Sequence, residues 1–191
     1  MYNTNIKAIL FDLDGVVIDS EKLYSSSEKA VLSKYGVEFD ENDWNYIKGC
    51  TESQFYDLVY KKFNPQIPRN RLIKEGRAYL MEIFKEKLNY MEGFLSLYSK
   101  ISTYYKLALV TSTSLMLFNH IDYLLAIRSK FDIIITSEDT KKHKPDKAPY
   151  KKAMELLEVK KEECVVVEDS VQGVLSGKNA GATVIALEGS V

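Results

Sequence analysis

Five short apolar runs, each ending on polar residues, constrain the fold of this chain more than any other feature. They are Ala8 to Phe11, Leu107 to Val110, Phe131 to Ile135, Val165 to Val167 and Thr183 to Leu187. Apolar runs of this length read as strands buried on both faces, as in a parallel sheet. Helix-length segments, for example Pro149 to Leu157 and Val171 to Ala180, separate the later ones. Strand–helix alternation predicts right-handed crossovers and an α/β fold built on a doubly wound parallel sheet. Ligands of such sheets bind beyond the carboxyl ends of the strands. The first four runs end on Asp12, Thr111-Ser112, Thr136-Ser137 and Glu168-Asp169, so a functional site is expected along that edge.

The interval between the first and second strands has another texture. From about Ser20 to Met91 no strand-like run occurs, and apolar residues recur at helical spacing. Leu23, Ala30, Val31 and Tyr35 form one stripe, Phe55, Leu58, Val59 and Phe63 a second, and Leu80, Ile83, Phe84 and Leu88 a third. Asn64 to Pro68 separates the last two. The chain is therefore expected to divide into a core, 1–18 and 92–191, and an inserted helical cap, 19–91. A helical insertion placed just after an acidic strand end is expected to act as a lid.

Composition narrows the partners. Lys plus Arg number 26 against 27 Asp plus Glu, a formal net charge of −1, which gives no general attraction for nucleic acid or an anionic membrane. No apolar run reaches the length of a membrane span, and the first seven residues lack the apolar stretch of a signal peptide. Cys50 and Cys164 match no metal or redox spacing. A cytoplasmic protein acting on a small molecule is expected.

Four segments carry chemistry. Asp12-Leu13-Asp14-Gly15 sets two carboxylates, two residues apart, beside a glycine that permits a sharp turn. One can attack phosphorus while the other, protonated with help from a neighbouring carboxylate, serves a leaving oxygen. At the second strand end, the Thr111 and Ser112 hydroxyls and the N–H groups that follow suit phosphate oxygens. In His143-Lys144-Pro145, the proline restricts the backbone at Lys144, singling it out from Lys141, Lys142 and Lys147 as a positioned ammonium. Glu168-Asp169-Ser170 repeats the acidic strand end, with Ser170 expected to cap the next helix. With Asp12, these two acids suit a hard divalent cation such as Mg²⁺, whereas the lack of a His or Cys cluster speaks against zinc.

In this order the four segments resemble the haloacid dehalogenase-like hydrolase superfamily, and within it the phosphoglycolate phosphatase and beta-phosphoglucomutase-like group. The resemblance implies a Rossmann-like core with a helical cap, and a magnesium-dependent phosphatase working through an aspartyl-phosphate. It implies Asp12 as nucleophile and magnesium ligand, and Asp14 as general acid/base that also offers its backbone carbonyl to the metal. Thr111 and Lys144 would bind the phosphoryl group, Asp169 would ligate magnesium, and Glu168 would assist directly or through water. Asp14 argues against dehalogenation, because dehalogenases of the superfamily lack the second Asp. Mutases of the group carry a basic residue in a cap loop where this chain has Lys48-Gly49-Cys50-Thr51-Glu52. The matching position is Glu52, with Lys48 as a partial substitute; Arg77 is also expected to face the substrate. Lys147 and Glu92 stand where prolines are usual, and the chain reaches Val191 soon after its fifth strand. A sugar-phosphate mutase and a catalytically silent binding module remain as alternative readings.

Overall fold

The computed structural model describes residues 5–47 and 50–188. Its centre is a parallel sheet of β1 (Ala8–Phe11), β2 (Lys106–Val110), β3 (Ile133–Ile135), β4 (Cys164–Glu168) and β5 (Thr183–Ala186), in the order β3-β2-β1-β4-β5. The acidic first strand is therefore central. The chain leaves β1 toward β2 and β3, then crosses to β4 on the other side, which opens a crevice at the carboxyl end of β1. The expected strands are all present, with small changes at their ends. β3 starts at Ile133 rather than Phe131, because Asp132 bonds back to β2: its N–H donates to Leu107 O (2.9 Å) and its carboxylate accepts from Leu107 N (2.8 Å).

Side chains alternate between two apolar layers, as a sheet buried on both faces requires. Ala8, Leu10, Ala108, Val110, Cys164 and Val166 pack with Tyr150, Ala153 and Met154 of α7 (Ala148–Leu157). Phe11, Leu107 and Leu109 face the opposite layer, which contains Phe94 of α5 (Phe94–Ile101) and Phe118 and Ile121 of α6 (Leu115–Leu125). The last helix, α8 (Val171–Ala180), follows β4 and begins on Ser170, whose Oγ accepts from Gly173 N (3.0 Å).

Between β1 and β2 lie α1 (Glu21–Leu32), α2 (Glu41–Ile47), α3 (Glu52–Phe63) and α4 (Arg69–Lys87). The three predicted stripes fall on or beside α1, α3 and α4, while α2 has no counterpart in the sequence reading. These helices hold an apolar cluster of their own around Val31, Phe55, Val59 and Leu72. The far end of α4 belongs elsewhere: Leu80 and Phe84, with Leu88 just beyond, join the layer that covers β1. Among the described residues no helix is long and apolar enough to cross a membrane.

Candidate active site

The crevice at the end of β1 opens into a cavity of about 560 Å³ between the sheet edge and the helices that follow β1. Asp12, Asp14, Ser112 and Asp169 line it from the sheet side. Glu21, Tyr24 and Glu28 of α1, Glu52 of α3 and Arg77 of α4 line it from the other. Thr111, Lys144 and Glu168 are buried and are not part of this lining. Lys48 lies outside the described residues.

Two residues past Leu10 and Val166, Asp12 and Glu168 continue the same face of their strands and meet the loop before α7. There the Lys144 ammonium, 2% exposed, donates to Asp12 Oδ1 (2.6 Å), Glu168 Oε1 (2.6 Å) and Val110 O (2.9 Å). Its neighbours Lys141, Lys142 and Lys147 are exposed, so Lys144 alone of this group is drawn inward. The Lys144–Pro145 peptide is cis. Burial would favour neutral lysine, but the Asp12 and Glu168 carboxylates outweigh it and raise the pKa. Glu168, fully buried, also accepts from Tyr150 OH (2.6 Å) and from Ser170 Oγ (3.1 Å). Asp12 is held well above the usual carboxylate range by burial first and by Glu168 second, with Lys144 opposing.

Beside this pair stands Asp169. Carboxylate oxygens of Asp12, Glu168 and Asp169 all lie within 4.8 Å of one another. Burial, then the charges of Glu21 and Glu168, push Asp169 to about 7, and its carboxyl is hydrogen-bonded with Glu21. Two glycines are shaped around these acids. A Cβ on Gly15, whose φ is +72°, would meet Asp169 Oδ2 at 2.2 Å; one on Gly173 would meet Glu168 Oε1 at 1.8 Å.

Asp14 sits apart from that cluster. β1 ends at Phe11, and the chain turns through Gly15 with Ile18 N donating to Leu13 O (3.0 Å). Extended geometry therefore stops short of Asp14, yet both acids border the same cavity. Ser20 Oγ donates to Asp14 Oδ1 (2.6 Å) and Thr113 Oγ1 to Asp14 Oδ2 (2.8 Å). Burial is the main cause of its raised pKa; the two hydroxyls and Lys144 oppose, and Glu21 adds to it. The expected help from a neighbouring carboxylate is thus a lesser cause than loss of water. At the end of β2, Thr111 Oγ1 accepts from Thr113 N (2.9 Å), while Ser114 is the cap of α6. Capping is therefore not what occupies Thr111 and Ser112.

Sequence reasoning missed Ser20, Glu21, Thr113 and Tyr150. Ser20 and Glu21 follow the acidic turn directly, but short polar residues after a turn also read as a helix start. Tyr150 carried no signal, because its hydroxyl meets Glu168 only once α7 packs on the sheet.

The chain is 30% identical to the phosphorylated carbohydrates phosphatase of Thermotoga maritima, over 92% of this chain and 82% of that protein. It is 29% identical to the phosphoglycolate phosphatase of Aquifex aeolicus, over 97% and 87%. The fold is shared with CbbY from Rhodobacter sphaeroides in complex with phosphate (TM-score 0.83, 22% identity, 97% of this chain and 87% of that one). It is shared too with beta-phosphoglucomutase from Clostridium difficile (TM-score 0.82, 21% identity, 95% and 84%). The sequence model of haloacid dehalogenase-like hydrolases matches residues 9–187, nearly the whole length over which these acids, lysine and hydroxyls are distributed, and the chain belongs to that family.

Proposed function

We propose that the protein is a magnesium-dependent phosphatase that hydrolyses a small phosphate monoester through an aspartyl-phosphate on Asp12. The observation that carries this reading is the separation of two carboxyl groups at one cavity. Asp12 is fixed by a buried ammonium beside two further acids, while Asp14 is fixed by two hydroxyls. That arrangement supports a nucleophile and a proton donor with different environments.

Asp12, Glu168 and Asp169 offer three acids in close range of one ammonium, with only oxygen donors, which fits a hard dication. The close fit of Gly15 and Gly173 around Asp169 and Glu168 supports the same reading. Magnesium, when bound there by Asp12 and Asp169 with Glu168 assisting, supplies positive charge against the phosphoryl oxygens. In the first step an Asp12 oxygen bonds to phosphorus as the bond to the leaving oxygen breaks, and Asp14 gives that oxygen a proton. In the second, Asp14 takes a proton from water, whose oxygen bonds to phosphorus. The phosphorus–Asp12 bond then breaks, releasing phosphate. The Ser112 hydroxyl at the cavity wall, with Thr111 and the Asp12-bound Lys144 ammonium directly behind that wall, would position the phosphoryl group and offset its charge.

The division into core (1–18, 92–191) and cap (19–91) is part of this proposal, supported by the separate apolar cluster of α1, α3 and α4. A cytoplasmic setting and a small phosphorylated metabolite as partner, with no nucleic acid and no membrane, are proposed as well. Two cysteines that form no disulfide and a net charge of −1 support them. The mutase alternative gains no support at Glu52, whose carboxylate holds Arg77. Phosphate release from a panel of monoesters is expected with magnesium and no bisphosphate, to cease with EDTA and to return with added magnesium. Activity indifferent to EDTA, or release only with a bisphosphate present, would overturn the reading.

A further inference from the structure

One carboxylate of the cavity has no answering group among the described residues. α1 presents Glu21, Tyr24 and Glu28 at spacings of three and four, hence on one face, and all three border the cavity. Glu21 is engaged with Asp169. Glu28 differs: it is half-buried, near enough to Tyr24 and Tyr56 for its charge to act on both, and among the described residues neither a hydrogen-bond donor nor a cation meets it. Burial alone pushes its carboxyl up to about 8. Arg77, the guanidinium in this wall, donates through Nε to Glu52 Oε1 (2.8 Å) and through Nη2 to Glu52 Oε2, so it is bound in a two-pronged pair of its own.

An acid held half-buried without a protein partner is destabilising relative to one fully in water, and a uniformly apolar wall would cost nothing of the kind. The expense is recovered when something in the cavity donates to the acid. A hydroxyl or an ammonium does so; a second carboxylate or phosphate would meet in Glu28 an acid that offers it no donor, with the cations of the wall being the exposed Lys22 and Lys29 and the Glu52-bound Arg77. We infer that Glu28 is a specificity-determining residue, accepting hydrogen bonds from hydroxyl or ammonium groups on the leaving group. On that basis the enzyme prefers polyhydroxylated or amino monoesters to esters bearing a second anion. The inference deepens the phosphatase reading and rests on it.

The test compares kcat/KM, with magnesium, for the unaltered protein, Glu28→Gln and Glu28→Leu on four probes. Sorbitol 6-phosphate carries hydroxyls, phosphoethanolamine an ammonium, phosphoglycolate a second anion, and p-nitrophenyl phosphate none of these. The unaltered protein is expected to favour sorbitol 6-phosphate or phosphoethanolamine over phosphoglycolate by about tenfold or more, the scale of one hydrogen bond to a charged group. Glu28→Leu is expected to bring that ratio near one, through KM more than kcat. Glu28→Gln separates the two donors: it can still accept from a hydroxyl, so a preference for sorbitol 6-phosphate survives while one for phosphoethanolamine is lost. Both variants are checked by near-ultraviolet circular dichroism, and Glu28→Ala, which also removes the acceptor, replaces Leu if Leu does not fold. A preference for phosphoglycolate, or ratios unchanged in both variants while p-nitrophenyl phosphate is turned over, overturns the inference alone. No hydrolysis of any probe ends the phosphatase reading and this inference with it.

Discussion

The two sides of the cavity use the same functional group in opposite ways. On the sheet side, Glu168 is fully buried and its oxygens are met by Lys144, Tyr150 and Ser170. On the helical side, Glu28 is half-buried and met by nothing among the described residues. Buried charge is tolerable when it is paired and hydrogen-bonded, and costly when it is not. Glu168 is thus satisfied before any ligand arrives, as a group that must hold a fixed geometry demands. The helical side leaves a group wanting, as selection among leaving groups demands.

Variants that attack this contrast should differ in size. The largest effect is expected from Asp12→Asn, which keeps shape but removes the proposed nucleophile: turnover should fall by about 10⁴-fold or more with the fold intact by circular dichroism. Substantial turnover in that variant would remove the sheet side as the seat of chemistry. Lys144→Met leaves Asp12 and Glu168 buried without their ammonium, and should destabilise by about 3–5 kcal/mol in urea unfolding. An unchanged midpoint would mean that the sheet side is not the paired cluster described. Gly173→Ala places a methyl group onto the Glu168 carboxylate and should cost about 1–3 kcal/mol, whereas a neutral result would show that Glu168 is free to move aside.

The smallest effect concerns Glu28, and its sign runs the other way. Its folded pKa, about 8, lies above the ordinary 4.5, so the folded state holds a proton that the unfolded state gives up. Its contribution is fully present below pH 4.5 and is lost as pH rises to about 8. Glu28→Gln should flatten that fall, raising stability at pH 8 by about 1 kcal/mol, the lower end of the penalty for an unsatisfied buried group. If the two proteins instead run parallel from pH 5 to 8 in thermal melts, the carboxyl is already partnered and the contrast is wrong.

The sheet and its acidic edge were legible because parallel strands covered on both faces leave continuous apolar runs. Ala8 to Phe11 and its neighbours stand out, and the acids that interrupt them stand out more. Lys144 was legible through the adjoining proline. The partners of Asp14 and Glu168 were less so. Ser20, Thr113 and Tyr150 are ordinary polar residues until tertiary packing gathers them, Thr113 from a segment 99 positions away. Helix α2 escaped because seven residues scarcely complete two turns, too few for a periodic stripe. Glu28 follows Glu21 and Tyr24 at helical spacing, which by itself reads as a solvated face. Only the fold puts a cavity opposite it.

Helix α4 has a mechanical consequence. Its nineteen residues form a single rod, gripped near Leu80 and Phe84 by the layer over β1 and reaching at Leu72 into the other cluster. A tilt of about 10° at the gripped end would swing the Arg69 end, 15 residues and roughly 22 Å away, through about 4 Å. Repacking of about 1 Å around Phe84 would therefore widen or narrow the room left for whatever the phosphate is attached to.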